Sequence, residues 1–154
     1  MSFLSNPPTP TEEAIITNDG FFPDIEPFKL RAFARLDGTV TGDRLTYSIL
    51  SAVTSVNAEL AKFKAAQQLA GFAALDAVPA DQIAGVSTKV IHYLRAVYSA
   101  VQADLIEHYR DFDTTGAGDK AAEKLEQRTN DLRRNMRWAI SDLLAIARTT
   151  VELI

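Results

Sequence analysis

Apolar residues recur at alternating spacings of three and four along most of the chain, which is typical of helices with one buried face. The clearest stripe follows Thr41, a residue type that caps helices, and ends at Gly71. Its members are Ile49, Val53, Val56, Leu60 and Phe63. The pattern predicts one continuous helix of about 30 residues in this region, roughly 40 Å long.

Two further stripes predict two more long helices. The first begins at Ser87 and comprises Ile91, Leu94, Tyr98, Val101, Leu105, His108 and Phe112. The second begins near Asp119 and comprises Ala122, Leu125, Thr129, Leu132, Met136, Ala139, Leu143 and Ile146. A short helix is expected over residues 27–36, and the connection 72–86, which contains Pro79, is expected to hold one helical turn around 80–83. The fold class that follows is all-α, a bundle of three long helices plus a short N-terminal helix.

The two ends of the chain have a different pattern. Residues 1–26 are polar and Pro-rich, with the turn sequence Asn18-Asp19-Gly20, and predict an extended arm. Residues 149–154 alternate β-branched and polar side chains and predict an extended, strand-like tail. We therefore expect an arm (1–26), a helical body (27–148) and a tail (149–154).

Charge separates the arm from the body. The arm holds five carboxylates (Glu12, Glu13, Asp19, Asp24 and Glu26) and no Lys or Arg. Subtracting them from the 20 acidic residues of the chain leaves 15, against 16 basic residues that all lie in the body. A body this close to neutral is not an obvious nucleic-acid binder.

The composition excludes several classes of function. The chain has no Cys, so disulfides, thiolate metal sites and Cys nucleophiles are excluded. No apolar run approaches a membrane span, and the first ten residues lack the features of a signal peptide. We expect a soluble protein that is made in the cytoplasm and binds no membrane.

The residue types that carry catalysis are present but poorly placed. Of the two histidines, His108 lies beside Glu107 and near Asp111, which is the one candidate metal or acid–base group. Its place in the apolar stripe favours a packed or interfacial histidine instead. Residues 116–120 lack the spacing of a phosphate-binding loop, and no Ser lies in a nucleophile elbow. The sequence predicts no enzyme, no catalytic or metal-binding residue and no cofactor.

Three groups of residues are candidates for contact with a partner. Phe21 and Phe22 can anchor the arm on another surface or fold back on their own body, and both alternatives stay open. Arg133, Arg134 and Arg137 form a basic face of the last helix, which is a solvated face, a contact for the acidic arm of another copy, or a DNA contact. In the tail, three apolar side chains are expected to dock on a neighbour: Val151, Leu153 and Ile154.

Five segments of the chain taken together resemble one protein family. They are residues 17–25 (TNDGFFPDI), 35–41 (RLDGTVT), 78–83 (VPADQI), 109–115 (YRDFDTT) and 150–154 (TVELI). In their order and spacing they resemble the head completion protein of temperate contractile-tailed phages, the gene product L family.

The resemblance implies a structural role in the virion. It implies binding to the portal protein at the portal vertex, or neck, of a DNA-filled head, in a homo-oligomeric, probably twelve-fold ring assembled in the host cytoplasm. It also implies a head–tail connector surface for a tail terminator or tail completion protein, and leaves contact with packaged DNA open. The alternative hypothesis is a small helical DNA-binding or regulatory module that uses Arg133, Arg134 and Arg137.

Overall fold

The computed structural model describes residues 13–109 and 118–147 of the chain. Within these ranges the secondary structure is mostly helical, which confirms the all-α class in outline. The helices are α1 (Pro27–Ala34), α2 (Gly42–Glu59), α3 (Ala61–Leu69), α4 (Thr88–Tyr109) and α5 (Gly118–Leu143). A 3₁₀ turn at Leu75–Ala77 and an antiparallel hairpin of β1 (Gln82–Ile83) and β2 (Val86–Ser87) lie between α3 and α4.

Helix α4 is the central element, because it packs against both α2 and α5. It runs antiparallel to α5: Lys89 Nζ donates to the Leu143 carbonyl at 2.8 Å at one end, and Arg133 pairs with Glu107 at 2.5 Å towards the other. Helices α2 and α5 contact each other little. The described residues therefore form two helix pairs that share α4, and the predicted three-helix bundle is not confirmed.

The central position of α4 explains which of its residues are buried. Residues on more than one side of the helix are inaccessible to solvent, among them Tyr93, Ala96, Val97 and Val101. The predicted stripe found Val101 and Leu105 but also included Ile91 and His108, which are exposed. A helix that is packed on two sides buries a second set of positions, which a single-stripe interpretation misses.

The predicted long second helix is wrong in one respect, because the structure divides it at Leu60. The Thr41 side chain caps α2 as expected, accepting a hydrogen bond from the backbone N–H of Arg44 at 3.4 Å. At Leu60 the backbone leaves helical geometry, with φ −92° and ψ 3°, while the side chain stays buried in the core. Apolar spacing continues across this turn, so periodicity alone does not reveal it. Gly71, at φ 98°, then ends α3 as predicted.

The connection between α3 and α4 is more ordered than its sequence predicts. The helical turn lies at Leu75–Ala77, before Pro79, and not around residues 80–83. Leu75 and Val78 are buried in the core. The hairpin of β1 and β2 is exposed except for Ser87, and its turn residues Ala84 and Gly85 both have positive φ. The connection therefore packs on the core of its own chain.

Helix α5 shows the predicted stripe from Thr129 to Leu143. Thr129, Ala139 and Leu143 are buried, whereas Leu125 and Ile146 are exposed. The helix ends at Leu143, followed by Ala145 in the left-handed region at φ 55°. The N–H of Ile146 donates to the Ser141 carbonyl at 3.0 Å and the N–H of Ala145 donates to the Asp142 carbonyl at 3.2 Å, which is a Schellman ending. None of the described helices has the length and apolar character to cross a membrane.

The residues before α1 are part of the core, which corrects the expected boundary between an arm and a body at residue 26. Phe21, Phe22 and Ile25 belong to the same buried cluster as Leu30 of α1 and Tyr93 of α4. Helix α1 begins with Pro27, whose missing N–H costs nothing at a helix start, and ends with Arg35 at φ 54°. The arm and the body are therefore one packed unit over the described residues.

Candidate assembly surfaces

The residues that precede α1 fold into a hook, which we define as residues 16–25. Ile16 and Ile25 pair as an antiparallel bridge, with both N–H···O distances 2.9 Å. Gly20, at φ 87°, reverses the chain between them. The backbone N–H of Asn18 donates to Asp24 Oδ1 at 2.8 Å, so the two sides of the hook are tied together twice.

Asp19 fixes the turn of the hook and attaches it to α3. Its Oδ1 accepts hydrogen bonds from the backbone N–H groups of Phe21 and Phe22 at 3.0 Å each, and its Oδ2 lies 2.7 Å from Lys64 Nζ. Burial acts to raise the pKa of Asp19, but the hydrogen bonds from Lys64, Phe22 and Phe21 outweigh it, so the pKa lies below its usual value. The carboxylate is thus held in its charged form.

A closed network of three polar side chains connects the hook to α2 and α4. Asn18 Nδ2 donates to the Tyr93 hydroxyl at 2.8 Å, the hydroxyl donates to Asn57 Oδ1 at 2.7 Å, and Asn57 Nδ2 donates to Asn18 Oδ1 at 2.9 Å. Burial raises the pKa of Tyr93, so its hydroxyl stays protonated and able to donate. Each member both donates and accepts, which makes the buried network self-satisfied.

Phe21 and Phe22 point into the core of their own chain. They are 2% and 3% exposed, and the Phe22 ring stacks on Tyr93 with centroids 4.7 Å apart and planes 6° from parallel. The Phe21 carbonyl also accepts the N–H of Leu75 at 2.8 Å. Of the two alternatives for these aromatics, the structure shows the folded-back one, and it corrects the expectation that they are partner contacts. An Asx-type turn that aims both rings inward is the physical reason.

The basic residues of α5 form a surface whose charges are partly neutralised. Arg133 pairs with Glu107 at 2.5 Å. Arg134 pairs with Asp131 at 3.0 Å and lies over the Trp138 ring, 4.9 Å from its centroid. Arg137 is exposed on the same helix. The structure therefore brings the three arginines onto one stretch of helix, with two of the guanidinium groups already bound to carboxylates.

The predicted contact residues of the tail, Val151, Leu153 and Ile154, lie outside the described residues. The expected boundary at residue 148 also lies there, as does Asp111, the third member of the candidate metal group. Their assignment as contact residues stays a prediction. The last described residues, 144–147, follow the turn at Ala145.

A cavity of about 360 Å³ between α2 and α4 contains Ser48, Asp104 and His108, the residue types of a hydrolytic triad. Of these three residues it is Asp104, and not His108, that contacts both of the others. The Ser48 hydroxyl donates to Asp104 Oδ2, while His108 Nδ1 lies 2.9 Å from the Asp104 backbone carbonyl. A catalytic triad requires the histidine to contact the hydroxyl and remove its proton, which this order does not provide. His108 is 69% exposed, so it is not packed inside its own chain, and the interfacial alternative stays a prediction.

Sequence reasoning missed the residues that organise the hook. The sequence pattern predicts a turn at Asn18 and gives no signal for Asn57 or Tyr93. Tyr93 lies 75 residues from Asn18 along the chain, and Asn57 lies 39 residues away, so no local pattern joins them. Glu13 was likewise assigned to a free arm, yet its carboxylate binds the Arg31 guanidinium at 2.7–2.9 Å.

Comparisons with known proteins show the family to which the chain belongs. The model of the family described as phage head completion protein (GPL) matches residues 16–154, from the start of the hook to the last residue. The chain belongs to the phage head completion protein family. The resemblance deduced from its five segments is confirmed.

A curated member of this family is similar over nearly the whole chain. It is the head completion/stabilization protein of Escherichia phage P2, 41% identical over 143 residues, which are 93% of this chain and 85% of that protein. No solved structure matches the chain. Phage head completion proteins are structural proteins of the virion and not enzymes.

Proposed function

We propose that this head completion protein binds the portal vertex of a DNA-filled head and stabilises it there. Several copies form a ring, and the ring presents the connector surface to a tail terminator or tail completion protein. Assembly takes place in the host cytoplasm, and the protein remains in the neck of the finished virion. The ring number, which we expect to be twelve, follows that of the portal.

The observation that carries this proposal is the extent of the likeness to the phage P2 protein. A protein named for head completion and stabilisation is similar over 93% of this chain, and the family model matches residues 16–154, which include every described helix and strand. A protein that stabilises a filled head must bind that head where DNA would leave. The portal vertex is the natural place, because it is the channel through which DNA passes.

Exposed apolar side chains on several elements support a role with more than one partner. Tyr47 and Leu50, three residues apart on α2, are 70% and 50% exposed. Phe33 of α1 is 64% exposed and touches Tyr98, with ring centroids 5.4 Å apart. Neighbouring apolar side chains on a surface are typical of protein contact sites. A connector subunit needs such sites for its sibling copies, the portal and the tail.

The structure gives the DNA-binding alternative no specific support. Two of its three arginines, Arg133 and Arg134, are paired with Glu107 and Asp131 and so have less charge to offer phosphates. The body as a whole is near neutral, whereas nucleic-acid affinity depends on net positive charge. A contact between Arg137 and an acidic surface of a partner remains part of the proposed assembly.

Portal binding is tested by sedimentation. Purified portal rings are mixed with the chain and pelleted, and the amount of chain in the pellet is measured against its concentration. We expect saturable co-sedimentation in a fixed ratio to portal subunits. Val97→Asp, which places a charge at a position with 0% exposure, serves as the misfolded control and should stay in the supernatant. A folded wild-type chain that never pellets with portal would refute the proposal.

A further inference from the structure

Helix α2 has an outer face that carries no charged side chain. From Leu45 to Ala58 the sequence holds no Asp, Glu, Lys or Arg. The exposed positions of this stretch, which we define as the α2 outer face, hold Tyr47 and Leu50 and otherwise only Ser, Thr or Ala. Tyr47 and Leu50 are 70% and 50% exposed. The face extends over roughly 20 Å of helix, at about 1.5 Å per residue.

The exposed side of α5 shows that this lack of charge is particular to α2. Exposed positions in the first half of α5 include Glu123, Lys124, Glu126 and Arg128. A helix face that stays in water usually carries such charged and polar side chains. Exposed apolar side chains on an uncharged face are instead typical of a surface that another protein covers.

The α2 outer face also contains a polar group that needs no water. The Thr54 hydroxyl donates to the Leu50 carbonyl at 2.7 Å, so it keeps its partner when water is excluded. A charged side chain brought against this face would lose hydration that nothing on the face replaces. The surface that covers it must therefore be uncharged over a similar length.

We propose that the α2 outer face of one chain packs against the α2 outer face of a second copy, with the two helices antiparallel. Of the helices that the structure describes, α2 has the longest uncharged stretch, so the chain itself supplies a matching surface. Strongly charged partners do not match it, because they would bury unpaired charges. The inference goes beyond the proposed function and does not depend on portal binding.

The sizes of the side chains favour the antiparallel direction. The large side chains, Tyr47 and Leu50, lie in the N-terminal half of the face, whereas the C-terminal half holds only Thr54, Ser55 and Ala58. Two antiparallel helices that cross near residues 52 and 53 place Tyr47 opposite Ala58 of the second copy and Leu50 opposite Ser55. Large side chains then face small ones at both ends, which fills the space between helices. A parallel pair would set Tyr47 against Tyr47.

The charges at the two ends of the face favour the same direction. Arg44 precedes the face and Glu59 follows it, and both are exposed. Glu59 forms no ion pair with a residue that the structure describes. In the antiparallel pair Arg44 lies beside Glu59 of the second copy, and the symmetry repeats this contact at the other end. A parallel pair would bring like charges together at both ends, which opposes association.

A contact between two identical faces is isologous and closes after two copies. It therefore describes a dimer of the free chain and does not by itself build the proposed ring. A face only one helix wide is smaller than the about 800 Å² per partner of a typical stable complex. We accordingly expect weak self-association that depends on concentration.

Analytical ultracentrifugation of the full chain tests the pairing. Leu50→Asp and Tyr47→Asp each place a charge on the face and should weaken dimerisation by about ten-fold or more. Leu69→Asp, at a position 91% exposed on α3, is the matched control and should dimerise like wild type. Circular dichroism of each variant checks that the helical fold is kept.

Disulfide trapping tests the direction, because the chain has no Cys of its own. Tyr47→Cys mixed with Ala58→Cys should give a disulfide-linked pair of one chain of each kind under mild oxidation. Either variant alone should give none, since equal positions lie about 16 Å apart along antiparallel helices, beyond the reach of a disulfide. A parallel pair would give the opposite result, with Tyr47→Cys linking to itself.

Several results would overturn the inference. A wild-type chain that is monomeric at about 1 mM has no such contact. A Leu50→Asp chain that dimerises like wild type places the contact elsewhere, and trapping of Tyr47→Cys with itself refutes the antiparallel direction. A monomeric wild type that loses portal co-sedimentation on Leu50→Asp would assign the face to the portal instead. Portal co-sedimentation that persists in wild type leaves the proposed function standing while this inference fails.

Discussion

At the scale of single residues, the hook depends on a few polar side chains that satisfy one another inside the protein. Asn18, Asn57 and Tyr93 form a closed ring of hydrogen bonds at 2.7–2.9 Å. Loss of the Tyr93 hydroxyl from this network leaves the partly buried Asn57 Oδ1 without its donor, which costs stability. Specific hydrogen bonds, and not only apolar packing, therefore hold the hook on α2 and α4.

Tyr93→Phe tests this network. The change removes one hydroxyl and leaves Asn57 Oδ1 without the donor that it has in the wild type, whereas Asn18 Nδ2 keeps its hydrogen bond to the Pro23 carbonyl and the ring stays stacked on Phe22. We expect the free energy of unfolding, measured by urea denaturation, to fall by about 1–3 kcal/mol with an unchanged helical spectrum. Tyr47→Phe, at a position 70% exposed, is the control and should change stability by less than about 0.5 kcal/mol. Equal stability of the two variants would show that the network contributes nothing.

Asp19→Asn tests the charge that holds the turn of the hook. Because the folded pKa of Asp19 lies below its usual value of 3.8, the charged form stabilises the fold above that value, and this contribution is lost as pH falls through the folded pKa. We expect the variant to be about 0.5–1.5 kcal/mol less stable near pH 7. The difference in the free energy of unfolding between the variant and wild type should disappear below about pH 4. Urea denaturation across pH measures it, with Asp81→Asn on the exposed connection as control. A gap that is independent of pH would contradict this account.

The sequence predicts part of this residue-level picture. The turn at Asn18-Asp19-Gly20 follows from local backbone preferences, because Gly20 adopts positive φ readily. The inward direction of Phe21 and Phe22 depends on Asp19 Oδ1 binding two N–H groups and on Lys64, 45 residues away. Contacts at that separation have no local signature, so the hook could be predicted as a turn but not as part of the core.

At the scale of elements, two helices are followed by a non-glycine residue whose left-handed backbone conformation is unfavourable. Arg35 follows α1 at φ 54° and Ala145 follows α5 at φ 55°, both in the left-handed region that favours Gly. Helix α3 ends in the same way but uses Gly71. The first two endings are thus stabilised by packing and hydrogen bonds in spite of the residue present.

Ala145→Gly and Ala65→Gly make the same chemical change with opposite expected signs. At Ala145 glycine removes left-handed strain, so we expect stability to rise by about 0.5–1 kcal/mol. At Ala65, an exposed position inside α3, glycine should lower it by about 1 kcal/mol. Thermal unfolding of the two variants measures both effects. Destabilisation by Ala145→Gly would show that the turn after α5 is not strained.

Sequence patterns located the elements better than their boundaries. The capping residue Thr41 and the stop at Gly71 are correct because both depend on local chemistry. The break at Leu60 cannot be predicted from apolar periodicity, because the spacing of apolar residues continues through it. The hairpin was missed because its turn is Ala84-Gly85, whereas Asn-Gly or Asp-Gly is the usual signature of two residues with positive φ.

At the scale of the whole molecule, the described residues form one unit in which hook, helices and connection share a core. The apolar stripes predicted its helical class, and the five segments predicted its family. The way α2, α4 and α5 pack could not be predicted, because stripes show that a face is buried but not against which neighbour. The surfaces that we propose for assembly are the exposed apolar side chains of α1 and α2 and the basic residues of α5.

The most direct test of the account is DNA retention by filled heads that lack this protein. Such heads are incubated with wild-type chain, with Leu153→Asp or with the misfolded control Val97→Asp, then treated with DNase. The protected DNA is measured. We expect wild type to restore full protection, Leu153→Asp to restore markedly less because it removes an apolar side chain that is predicted to dock on a neighbour, and Val97→Asp to restore none. Heads that keep their DNA equally well without the chain, or that lose it in the presence of folded wild type, would contradict the account.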